Sequence, residues 1–108
     1  MKRKHLRRDA FYAEGASFMN RGEVEQSMLC GCFVCNLLFP SELIKEWTYE
    51  LKIDENTTTA SAICPYCGGD TVIPESESYT LDKELIEYLY KKEKKKFDKW
   101  CKKNKILD

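Results

Sequence analysis

The chain has 108 residues, too few to bury a large apolar core, so it reads as one small domain that a metal or disulfides should help to hold. No apolar run is long enough to span a bilayer, and no apolar stretch follows the basic start Met1-Lys2-Arg3-Lys4-His5-Leu6-Arg7-Arg8, so neither a membrane anchor nor a signal peptide is expected. The formal net charge is zero, but residues 1–8 hold five Lys/Arg and no acid, residues 91–108 hold nine Lys against three acids, and the residues between hold four Lys/Arg against fifteen Asp/Glu, a net charge of −11. An acidic body with two basic ends can steer partners although the total is zero.

In chain order, residues 1–9 read as a flexible basic arm. Residues 11–18 are of mixed polarity, with Gly15 weakening any helix. Asn20 is a candidate N-cap, with Glu23 three residues on as in a capping box. Glu23 to Leu29 then reads as a short helix with Val24 and Met28 on one face, leading into Cys30-Gly31-Cys32. Phe39 and Pro40 mark a break. Ser41 can cap a short helix over Glu42 to Glu46 that turns Leu43, Ile44 and Trp47 toward a core. Trp47 to Ile53 and Thr57 to Ile63 are β-branched and Thr-rich, with Asp54-Glu55-Asn56 between them, and predict a hairpin that delivers Cys64. Thr71-Val72-Ile73 predicts a short strand ended by Pro74, followed by a polar loop. Asp82 is the expected N-cap of a long helix running to about Lys103, with Ile86, Tyr90, Phe97, Trp100 and Cys101 on one stripe and lysines on the other faces.

The chemistry lies in two knuckles, Cys32-Phe33-Val34-Cys35 and Cys64-Pro65-Tyr66-Cys67-Gly68-Gly69. Each C-x-x-C turn presents two sulfurs, and two turns complete a tetrahedral shell about 2.3 Å from one ion. Cys32, Cys35, Cys64 and Cys67 are therefore the expected ligands of one structural Zn2+, with iron as competitor. Paired C-x-x-C motifs in a chain read as cytoplasmic favour metal over disulfides. A redox dithiol would show one such motif in a βαβ pattern, which is absent here. The 28 residues between Cys35 and Cys64 exceed the compact spacing of about 15–20, and the short helix and hairpin account for the excess. Pro65 shapes the second turn, and Gly68-Gly69 let backbone N–H groups approach sulfur.

Cys30 reads as a small, partly buried side chain, with a second-shell thiol or a substitute for Cys32 as alternatives. Cys101 reads as a core or interface residue, and His5 as solvated. Phe33, Phe39 and Trp47 read as a mini-core in preference to a base-stacking platform. The lysine run reads as a solvated face, with phosphate contact as the alternative.

The text Asn20-Arg21-Gly22-Glu23-Val24, Cys30-Gly31-Cys32-Phe33-Val34-Cys35, Phe39, Ile44-Lys45-Glu46-Trp47 and Ala62-Ile63-Cys64-Pro65-Tyr66-Cys67-Gly68-Gly69-Asp70-Thr71-Val72-Ile73 resembles a group of small bacterial zinc-ribbon proteins described only as cytoplasmic proteins. The similarity covers roughly residues 19 to 90, with a weaker match through Tyr79-Thr80 and Leu85. Val34 stands where that group usually has an aromatic residue, Thr71 where it has Ser and Pro74 where it has Gly; the lysine-rich extension is additional. The resemblance implies a zinc ribbon flanked by helices, supplies no activity, and makes Cys30 and Asp70 part of the pattern.

The expectation is a small α+β zinc ribbon: a basic arm over residues 1–18, a ribbon core over 19–80 and a lysine-rich helix over 81–108. With a closed metal shell and no nucleophile–base pair, no catalytic residue is named; an enzyme would need Asp70 as a general base without an evident partner. A binding or regulatory module for a protein partner is the leading expectation, its acidic body suited to a basic surface and its helix stripe to self-association. The second expectation is nucleic-acid binding through the arm and the helix. Candidate contacts on that helix are Lys91, Lys92, Lys95, Lys96, Phe97 and Trp100.

Overall fold

The computed structural model describes residues 5–48, 51–54 and 57–103, with backbone alone at 51–54, 57 and 58. In order these form α1 (Leu6–Gly15), α2 (Arg21–Gln26), β1 (Leu29–Cys32), β2 (Leu37–Pro40), a 3-10 turn (Ser41–Leu43), β3 (Leu51–Asp54), β4 (Thr57–Thr59), β5 (Val72–Pro74) and α3 (Lys83–Lys103). The fold is a small α+β arrangement around an antiparallel sheet of order β2-β1-β5.

Strand β1 is central and sets two faces. Cys30 pairs with Phe39 and Pro74, Cys32 with Leu37 and Val72, and Gly31 with Leu38 and Ile73. Side chains alternate along a strand, so Cys30 and Cys32 share one face while Gly31 and Ile73 belong to the other. On the cysteine side Val24, Phe39, Ile44, Ala62, Cys64 and Val72 form one buried cluster. On the glycine side Ile73, Phe33, Tyr79, Leu85, Ile86 and Leu89 form a second with Ala10 and Ala13 of α1. Gly31 allows the approach of α3: a Cβ there would lie 2.5 Å from Ile86 Cδ1 and 3.2 Å from Leu38 Cδ2.

Helix α3 begins as its sequence predicts. Asp82 Oδ1 accepts from Leu85 N at 2.9 Å, a side-chain N-cap. Its first half is buried through Leu85, Ile86 and Leu89, whereas Phe97 and Trp100 farther along are exposed.

Four expectations differ. Residues 6–9 are not a flexible arm: they open α1, which turns Ala10 and Ala13 against α3 and joins Glu14 to Lys92 Nζ at 2.8 Å. Residues 1–4 lie outside the described residues. Helix α2 stops at Gln26, short of the predicted Leu29, and Met28 is exposed. Ser27 Oγ donates to the Glu23 carbonyl, and Glu75 Oε1 accepts from the N–H groups of Met28 and Leu29, so the chain leaves the helix with its backbone groups satisfied. The first knuckle is then not a helix end but the turn between β1 and β2. The helix expected over Glu42 to Glu46 is a 3-10 turn with Leu43 exposed and Ile44 buried.

Asn20 departs most. Its side chain makes no N-cap bond to α2. It is buried, donates through Nδ2 to the carbonyls of Ala16 and Val72 at 2.8 Å each, and accepts at Oδ1 from Ala62 N at 3.0 Å. One amide thus joins the end of α1, the root of the hairpin and β5. The hairpin of β3 and β4 carries a register shift near Lys52 and Asp54 and extends as a bridge between Trp47 and Ala62. Its predicted turn residues Glu55 and Asn56 lie outside the described residues.

The Gly31–Ile86 contact yields a stability prediction. Gly31→Ala should destabilise the fold by about 1–3 kcal/mol in urea unfolding, because the new Cβ would lie 2.5 Å and 2.9 Å from two atoms of the buried Ile86, which must shift within the core. Ile86→Val removes the contacting Cδ1 atom, so the double variant should recover part of the loss in a double-mutant cycle.

Candidate metal centre

The first knuckle is the hairpin turn after β1. Cys32 closes the strand, Cys35 lies in the turn, and Asn36 follows in the left-handed region with φ 57°. The second knuckle leads toward β5 and has the same form: Cys64, Cys67, then Gly68 at φ 75°. In both turns the residue after the second cysteine takes the conformation that Gly and Asn adopt most readily. Gly69 differs, since a Cβ there would meet only ordinary contacts with Thr71 and Cys67.

Backbone hydrogen bonds hold each turn against its sulfurs. Cys35 N donates to Cys32 Sγ and Tyr66 N to Cys64 Sγ, each at 3.4 Å. Cys64 N donates to Gly69 O, and Gly68 N to Cys64 O. The hairpin root positions the second turn, since Ile63 N donates to Glu46 O and Ala62 pairs with Trp47.

These turns bring the ligand atoms of Cys32, Cys35, Cys64 and Cys67 within 4.8 Å of one another. The cysteines are free thiols, without disulfides. Cys32 Sγ lies 3.8 Å from Cys67 Sγ, and Cys35 Sγ lies 3.8 Å from Cys64 Sγ. A tetrahedron with its corners about 2.3 Å from the centre has edges of about 3.8 Å. The two measured separations are opposite edges of such a figure, so the donor set fits one tetrahedral metal ion.

The electrostatics lead to the same fit. Burial pushes the Cys32 and Cys35 thiols toward the neutral form. At Cys67 burial raises the pKa too, but the Gly69 N–H and neighbouring sulfurs outweigh it and lower it to about 7. Four thiolates at these separations repel one another unless a cation offsets their charge.

Thr71 Oγ1 lies 3.1 Å from Cys32 Sγ. Against a thiolate the hydroxyl is the only donor, so Thr71 supports Cys32. In the sequence Thr71 reads as a strand residue, and the one signal of this role is that the similar proteins carry another hydroxyl residue, Ser, at its position. Cys30 and Asp70 are the two candidates for a place beside the ligands. Asp70 is exposed, and Cys30 is fully buried in the sheet cluster, outside the four-sulfur group. Burial, with the Glu75 charge adding, pushes the Cys30 thiol up to about 12. Cys101 is buried on α3 and His5 is exposed before α1.

Phe33 and Phe39 are buried, and Trp47 packs on the same cluster as Phe39 with the Arg21 guanidinium 5.0 Å from its ring centroid. Among the lysines singled out on α3, Lys91 pairs with Glu87, Lys92 with Glu14 and Lys96 with Glu93, while Lys95 is exposed. Phe97 and Trp100 stack, with centroids 6.5 Å apart and planes at 24°.

No family model matches the chain, and comparison with curated proteins and with solved structures finds no match. Among the described residues, no helix is long and apolar enough to cross a membrane.

Two predictions test the centre. Cys64→Ser should lose the bound metal in elemental analysis of reduced, freshly purified protein, whereas Cys30→Ala should retain one ion per chain. Loss of metal from Cys30→Ala with retention in Cys32→Ala would move the first knuckle to Cys30. Thr71→Val should keep the metal but lower its affinity about tenfold or more in competition with a chelator, the usual effect of removing a group that orients a ligand.

Proposed function

We propose that the chain is a non-enzymatic zinc-ribbon protein of the cytoplasm that serves as a binding or regulatory module for a protein partner. Sulfur-only tetrahedral ligation favours zinc, and four protein ligands leave no coordination position for substrate. Zinc here supplies folding free energy and no reaction step. The resemblance to small bacterial zinc-ribbon proteins supports the same reading.

The observation that carries the binding role is the contrast along α3. Its first half is buried in the core, and its second half exposes the stacked Phe97 and Trp100. Adjoining exposed aromatics are the side chains that supply anchors in protein interfaces. Self-association through this face is disfavoured by charge. Residues 91–103 hold eight Lys against two acids, a net +6, and a symmetric contact would oppose that charge to itself.

Nucleic-acid binding is the second reading, favoured by the same aromatic pair among lysines, with Arg7 and Arg8 exposed on α1. The acidic body opposes it. The test pairs two measurements: affinity capture with wild-type protein against a Phe97→Ser/Trp100→Ser variant, and titration of single-stranded and duplex nucleic acid at two salt concentrations. One protein partner should be captured by the wild type and lost by the variant. Nucleic acid should bind weakly, without sequence preference, with a log–log salt slope of about −0.9 per phosphate on duplex DNA. Salt-resistant nucleic-acid binding with no variant-sensitive protein partner would replace the first reading with the second.

A further inference from the structure

Beside the metal centre, Phe33 and Val34 of the first knuckle face Tyr90, Glu93, Lys94 and Phe97 of α3 across a cleft of about 300 Å³. Four of these six residues are apolar or aromatic. Val34 and Phe97 are 47% and 64% exposed, so the cleft opens to solvent along an apolar edge. On its inner side Phe33 is buried in the core, and Phe33 and Val34 lie between Cys32 and Cys35 in the knuckle. A cleft of this size suits one bulky side chain.

The charge around the cleft selects the occupant. Glu93 on its rim is within 3.6 Å of Lys96 Nζ. Lys94, Lys95, Lys99, Lys102 and Lys103 form no ion pair among the described residues, leaving a positive ridge beyond Tyr90. A second copy would bring its own +6 helix half against this ridge. A long polyanion would follow the ridge for only about 20 Å, the length of thirteen helical residues, before meeting the body of net charge −11. A short acidic segment with an apolar anchor meets neither penalty.

We propose that the cleft between the first knuckle and α3 seats a Leu, Phe or Trp side chain of a short acidic segment in a protein partner, whose carboxylates lie over the α3 lysines. This rests on the protein-binding reading above and gives the partner its chemistry. The apolar anchor supplies affinity, and the lysines set the association rate and its salt dependence.

The probe is a short fluorescein-labelled peptide of Asp and Glu carrying a single Trp, titrated into the full metal-loaded chain. It should bind, and binding should weaken on raising the salt. Phe97→Ser and Lys94→Glu/Lys95→Glu should each weaken it about tenfold or more. These residues are exposed, so metal content and circular dichroism should stay as in the wild type. Replacing the Trp of the peptide with Ser should abolish binding. No binding at millimolar peptide, equal binding of the Ser peptide, or an unchanged affinity in Phe97→Ser would overturn the proposal. So would a wild-type mass that doubles with concentration and reverts in Phe97→Ser, because a second copy would then own the cleft. Should the probe fail while capture of a protein still depends on Phe97 and Trp100, the acidic-segment inference falls and the protein-binding reading stands.

Discussion

Four sulfurs from two turns, 28 residues apart in sequence between Cys35 and Cys64, have to meet within 4.8 Å. The rest of the fold is arranged to meet that requirement. The β1–β2 hairpin presents Cys32 and Cys35, the bridge at Trp47 and Ala62 sets the direction from which Cys64 arrives, and β5 returns to pair with β1 directly after Thr71. Four thiolates gathered this closely would need a cation to offset their charge, and the same strands that bring them together close the second face of the sheet.

The two faces of β1 divide the labour. The cysteine face carries the four-sulfur group that could hold a metal ion. The glycine face is a conventional apolar core in which Ile86 approaches the backbone of Gly31. A protein of this length gains from two such supports, because neither cluster alone is large. Apart from the buried Cys101, the distal part of α3 is mostly exposed, and there the aromatics and lysines are found.

What was legible in the sequence was local. The C-x-x-C spacings named the four sulfurs, and the Asp82 cap with the period of Ile86 and Tyr90 named α3. What was not legible depends on partners far along the chain. Leu29-Cys30-Gly31-Cys32 lacks the alternation of a half-exposed strand because both of its faces are covered. The helix α1 packs through Leu6, Ala10, Ala13 and the following Ala16, a stripe made mostly of alanines that stands out little from its polar neighbours. Asn20 with Glu23 satisfies the pattern of a capping box, yet its amide forms stronger obligations with Val72 and Ala62. Thr71 supports Cys32 only because the sheet brings residues 32 and 71 together.

Asn20 also bears on how the chain reaches this state. Its three partners lie 4, 42 and 52 residues away, so its amide is satisfied only when α1, the hairpin and β5 are all in place. Until then a donor and an acceptor wait in a region that is becoming dry, which disfavours any partly assembled form. Long-range closure of this kind slows folding but sharpens it. The amide acts as a checkpoint for assembly order: the two halves of the chain are expected to lock together in a single cooperative step, and a half-formed fold has little chance to persist.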